Sequence, residues 1–121
     1  MKAEFEMVFG RLREILAPYA GRLKVSADVV EHYCLDVEYS EKLKKGYPVA
    51  WVKASKAYVS YHFMPVYMFP QLRAGMSEGL KARMQGKSCF NFKAVDEELF
   101  QELERVTAEG FALAKKAGLG P

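Results

Sequence analysis

The chain is poor in cysteine. Cys34 and Cys89 are the only two in 121 residues, too few for a disulfide framework and without the CxxC pairing of a zinc ribbon or a thioredoxin-like redox centre. Both read as reduced thiols. No apolar run approaches the roughly 20 residues of a membrane span. The start, MKAEFEMVFGRLREIL, mixes charged with apolar residues from its first turn, unlike the apolar heart of a signal peptide. A cytoplasmic location without a membrane partner is expected. Strong charge of one sign is also missing. The 18 basic and 15 acidic residues leave +3 spread along the chain, whereas a nucleic-acid domain gathers its basic excess on one face. Nucleic acid is therefore not an expected partner. The densest basic cluster, Lys42, Lys44 and Lys45, runs into Gly46 and Pro48 and reads as a solvated turn.

Catalytic signatures are scarce as well. The nucleophile elbow GxSxG is absent, and the serine of GMSEG is better used as a helix cap. Gly86-Lys87-Ser88 resembles the end of a phosphate-binding P-loop, but Lys81 stands where the first glycine is required, and this glycine leads from a helix into a strand. A cysteine nucleophile would have to pair Cys34 or Cys89 with His32 or His62, the only two histidines. No orienting motif surrounds either thiol. A small enzyme with a His/Cys site is thus an alternative, and a non-enzymatic role is expected.

What is present suits one domain. Half of the residues are apolar and 27% are charged, and a chain of this length buries roughly two thirds of its unfolded surface. Phe5, Val8, Phe9, Leu12, Ile15, Leu16 and Tyr19 recur at helical steps, predicting a helix over 2–17 ended by Pro18 and Gly21. From Val29 the period becomes two. VVEHYCLDVEY predicts a strand with Glu31, Tyr33, Leu35 and Val37 on one side and His32, Cys34 and Asp36 on the other. YPVAWVKA and YVSYHFM predict a hairpin about Ser55-Lys56, stopped by Pro65. A short helix capped by Ser77 and stopped by Gly86 follows, with Leu72, Met76, Leu80 and Met84 as its buried edge. SCFNF predicts a fourth strand. The last helix is capped by Asp96, acidic at its start (Glu97, Glu98), basic at its end (Lys115, Lys116) and closed by Gly118, with Val95, Leu99, Leu103, Val106 and Leu113 as its core stripe. The expectation is an α+β fold of order αβββαβα: an antiparallel four-stranded sheet with helices packed on one face.

Such a sheet leaves one face open, and the residues there carry the functional question. Parity in YVSYHFMPVY sends Val59, Tyr61 and Phe63 to the core and Tyr58, Ser60, His62 and Met64 to the open side, where the neighbouring strand adds Trp51 and Lys53. These six are the candidate residues for a small ligand, a protein partner or a second copy of the chain. His32, Cys34 and Asp36, with His62 from another strand, supply donor types suited to a transition metal if the strands are neighbours.

With these residues located, the chain resembles the YdhG-like family, a domain of unknown function that includes a proposed bacterial frataxin-like iron chaperone. The resemblance rests on YVSYHFMPVY and on MQGKSCFNFK leading into VDEELFQELERV, and spans about Tyr33 to Leu113. It implies an α+β layout with helices on one side of an antiparallel sheet, iron held on an acidic ridge along the first helix and neighbouring strand, and a partner docked on the sheet by an exposed tryptophan. In the first helix Glu4, Glu6 and Glu14 are interleaved with Lys2, Arg11 and Arg13, so Asp28, Glu31, Asp36 and Glu38 are the better acidic ligands. Trp51 would be the docking tryptophan. The leading expectation is a non-catalytic binding module, with an iron-binding chaperone using His32, Cys34, Asp36 and Glu38 as an alternative.

Overall fold

The computed structural model describes residues 2–121. Helix α1 (Ala3–Leu16) buries Phe5, Val8, Phe9, Leu12, Ile15 and Leu16, the stripe its periodicity predicts. Pro18 then tightens the chain into a 3-10 turn over Ala17–Arg22, which carries Tyr19 out of the helix to a half-buried position. Strands β1 (Lys24–Val29), β2 (His32–Ser40), β3 (Lys45–Ala54) and β4 (Val59–Phe63) follow. Three short helices, α2 (Met64–Met68), α3 (Pro70–Ala74) and α4 (Glu78–Lys81), lead to β5 (Met84–Gln85), β6 (Cys89–Phe92) and the long α5 (Glu97–Lys116).

The fold is α+β, but the sheet has six antiparallel strands in the order β1-β2-β3-β4-β6-β5 rather than four. Both added strands are edges. In β1 five of six residues are exposed, so no apolar alternation marks it. Its two-residue connection to β2 is Val30-Glu31, which lacks the Gly, Asn or Asp of ordinary hairpin turns. Val29 and Glu31 therefore fall outside β2. Met84, expected on a helix, instead opens β5, because α4 ends at Lys81 and Gly86 adopts φ 78° in the turn to β6.

One face of the sheet is the core. Leu35, Ala50 and Phe63 pair across β2, β3 and β4, as do Tyr33, Val52, Tyr61 and Phe90 across β2, β3, β4 and β6, and all are buried. Helices α1 and α5 cover this face. Helix α5 presents Phe100, Leu103, Val106, Thr107, Gly110, Phe111 and Ala114, a stripe rotated from the expected one, so that Leu99 and Leu113 are only half-buried. Val95 precedes the helix and is exposed. The predicted caps hold: Ser77 Oγ accepts from Leu80 N–H and Asp96 Oδ1 from Leu99 N–H. At the other end Gly118 has φ 73°, while Leu119 N–H reaches Ala114 O and Gly118 N–H reaches Lys115 O, closing α5 with a Schellman motif. Arg11 ties α1 to α5 through Glu97 and Glu104, which raises the guanidinium pKa and lowers that of Glu97. Among the described residues no helix is long and apolar enough to cross a membrane.

Candidate binding face

The face opposite the helices carries two cross-strand rows. Direct partners Cys34, Trp51, His62 and Cys89 run in one line across β2, β3, β4 and β6, and Gln85 of β5 extends it. His32, Lys53, Ser60 and Asn91 form the adjoining line. Alternation along each strand puts every second side chain on this face, and antiparallel pairing brings the lines together.

The centre is an aromatic pair. The imidazole of His62 lies on the indole of Trp51 with ring centroids 4.6 Å apart and planes 10° from parallel. A short network orients the imidazole. Ser60 Oγ donates to Lys53 O at 3.2 Å, which leaves the hydroxyl oxygen to accept from His62 Nε2–H at 2.9 Å. That places the ring proton on Nε2 and leaves Nδ1 with its lone pair. Burial, reinforced by the positive fields of Lys53 and His32, lowers the His62 pKa to about 4, so the ring is neutral at pH 7.

Cys89 Sγ stands 3.7 Å from His62 Nε2 but donates at 3.3 Å to Asn91 Oδ1, whose amide donates in turn to Gln85 Oε1 at 2.6 Å. Desolvation raises the Cys89 pKa. A neutral imidazole beside a protonated thiol is the reverse of the thiolate–imidazolium pair that a cysteine nucleophile uses. On the other flank Cys34 is buried, and its thiol is raised mainly by desolvation, with Asp36 adding to the effect.

Four of the six residues expected on this face are in the two rows: Trp51, Lys53, Ser60 and His62. Tyr58 precedes β4 and lines a neighbouring hollow with Arg83, Gln85 and Asn91. Met64 departs from the parity expectation, because the strand ends at Phe63 and Met64 with Pro65 begins α2. Sequence parity did not select Cys89, Asn91 and Gln85 as binding residues; the alternation of SCFNF already sets Cys89 and Asn91 opposite Phe90, but only pairing with β4 makes them neighbours of His62.

The expected metal ligands are dispersed. His32, Cys34 and Asp36 share one side of β2, yet Asp36 Oδ1 is engaged by Ser26 Oγ at 2.9 Å and by Cys34 Sγ at 3.5 Å. Glu38 is exposed beyond a register shift, and Asp28 pairs with Arg13 at 3.1 Å. Among the described residues no three His, Cys, Asp or Glu side chains gather closely enough to hold a metal ion. Comparison with family models, curated proteins and solved structures found no match.

Proposed function

We propose that this domain is a non-catalytic binding module that receives a protein partner or small ligand on the open sheet face centred on Trp51 and His62. The observation that carries this reading is the parallel Trp51–His62 stack, oriented by Ser60 and set on a rigid central pair of strands. A preorganised aromatic platform loses little side-chain freedom on binding, and tryptophan is among the residues that dominate interface energetics. Lys53 is exposed at the edge of the platform and adds a charge for orientation. The protonated Cys89 and neutral His62 weigh against covalent chemistry at this face. A cytoplasmic setting agrees with the two free thiols. The same face corresponds to the tryptophan-bearing sheet that resemblance to the YdhG-like family implies.

The test uses Trp51→Ala and His62→Ala. Both variants are expected to keep a melting temperature close to that of the parent. They are also expected to lose concentration-dependent self-association in sedimentation, or the thermal stabilisation produced by any hit from a metabolite screen. Unfolding of both variants would make the two residues core and overturn the proposal.

A further inference from the structure

A second site lies on the helical side of the molecule. Between the 3-10 turn and α5 there is a surface hollow of about 230 Å³. The rings of Tyr19 and Phe111 stack along it, with centroids 4.4 Å apart and an interplanar angle of 29°. Space opens there because α5 places Ala108 and Ala112, one turn apart, opposite Tyr19. Arg22 and Lys115 also line it, the Arg22 guanidinium standing 6.0 Å from the Tyr19 ring centroid. Neither cation belongs to an ion pair among the described residues, and no acidic side chain lines the hollow; the carboxylate of Pro121, which also lines it, forms an ion pair with neither. Glu104, the nearby carboxylate, is held by Arg11.

Apolar aromatic walls call for a ring, and two uncommitted cations call for negative charge. The volume is below the roughly 300 Å³ at which drug-sized sites begin, so it suits a single ring. We infer that this hollow is a binding site for a small arylcarboxylate, with the ring against Tyr19 and Phe111 and the carboxylate between Arg22 and Lys115. The site is separate from the Trp51 face and does not rest on that proposal.

Phenylacetate is the probe, titrated at pH 7 while backbone amide resonances are followed. Affinity for so small a molecule should be on the order of 1 mM, with the amides of Ala108, Phe111 and Ala112 moving. Phenylacetamide, which keeps the shape and loses the charge, should bind at least about tenfold more weakly, as should phenylacetate to the Arg22→Gln/Lys115→Gln double variant. Ala112→Leu should narrow the hollow and weaken binding with both cations in place, whereas Trp51→Ala should leave it unchanged. Equal binding of acid and amide, shifts confined to the sheet face, or no shifts at about tenfold above the expected constant would overturn the inference.

Discussion

Gly110 lies directly against the ring of Phe63: a Cβ built on this glycine would stand 2.4 Å from Phe63 Cε2, 2.7 Å from Cζ and 3.0 Å from Pro65 Cβ. Phe63 is fully buried and held edge-on by Phe111 at 5.2 Å, so it has little room to yield. Glycine inside α5 thus brings the helix close to β4. Helix propensity alone favours Gly110→Ala by about 1 kcal/mol, but overpacking typically costs about 1–3 kcal/mol. A net loss of up to about 2 kcal/mol is expected in urea unfolding. In a Phe63→Leu background the same substitution should cost less, and strict additivity would show that the ring is not the obstacle.

Tyr61 and Thr107 form a second link between sheet and helix. Their hydroxyls meet at 2.6 Å in a region where both residues are fully buried. Tyr61→Phe or Thr107→Val removes one partner and strands the other, at a cost of about 1–3 kcal/mol each. The double variant should lose clearly less than the sum, as measured by chemical denaturation at pH 7. Tyr61 should also fail to ionise in the native protein at pH 11, because burial raises its pKa beyond the ordinary tyrosine range.

His62 makes stability depend on pH. Its folded pKa of about 4 lies below the ordinary 6.5, so between these values the unfolded chain binds the extra proton. Stability therefore falls as pH drops from 6.5 towards 4 and is fully present above that window. Solvent screening of a part-exposed ring should hold the effect to about 1–2 kcal/mol. Urea midpoints at pH 7 and 4.5 should differ less in His62→Gln than in the parent. Trp51 is the sole tryptophan, so its fluorescence should report protonation of the stacked ring near pH 4 in the folded protein.

The thiols should be sluggish. Cys34 is buried and desolvation raises both cysteine pKa values, so alkylation by iodoacetamide at pH 7 should be more than about tenfold slower than for free cysteine. Because His62 is neutral, His62→Gln should leave the Cys89 rate within about twofold. A steep fall in that rate would instead reveal an imidazole-activated thiolate and a catalytic role.

Local signals were legible wherever the physics is local. The caps at Ser77 and Asp96 each bond three residues ahead, and the stop at Gly118 closes within the same turn, so short stretches of sequence suffice to predict them. The parity of Val59, Tyr61 and Phe63 against Ser60 and His62 was legible because a strand has period two. Strand β1 was not, since a mostly exposed edge strand carries no burial pattern. The core stripe of α5 is rotated from the one its apolar spacing predicts for a related reason. Thr107 and Gly110 are buried for the partners they meet, Tyr61 and Phe63, and neither a hydroxyl side chain nor a missing one adds to an apolar stripe at helical spacing.

The sequence by itself determined which side chains share a face along β2, β3, β4 and β6 and where the caps and stops of the longer elements fall, because these depend on residues a few positions apart. Tertiary structure decided who stands beside whom. The line Cys34, Trp51, His62, Cys89 joins four strands through inter-strand register, and a one-residue slip in any pairing would reverse the faces. The hollow of Tyr19, Phe111, Arg22 and Lys115 likewise exists only where the 3-10 turn meets α5, elements that lie at opposite ends of the chain.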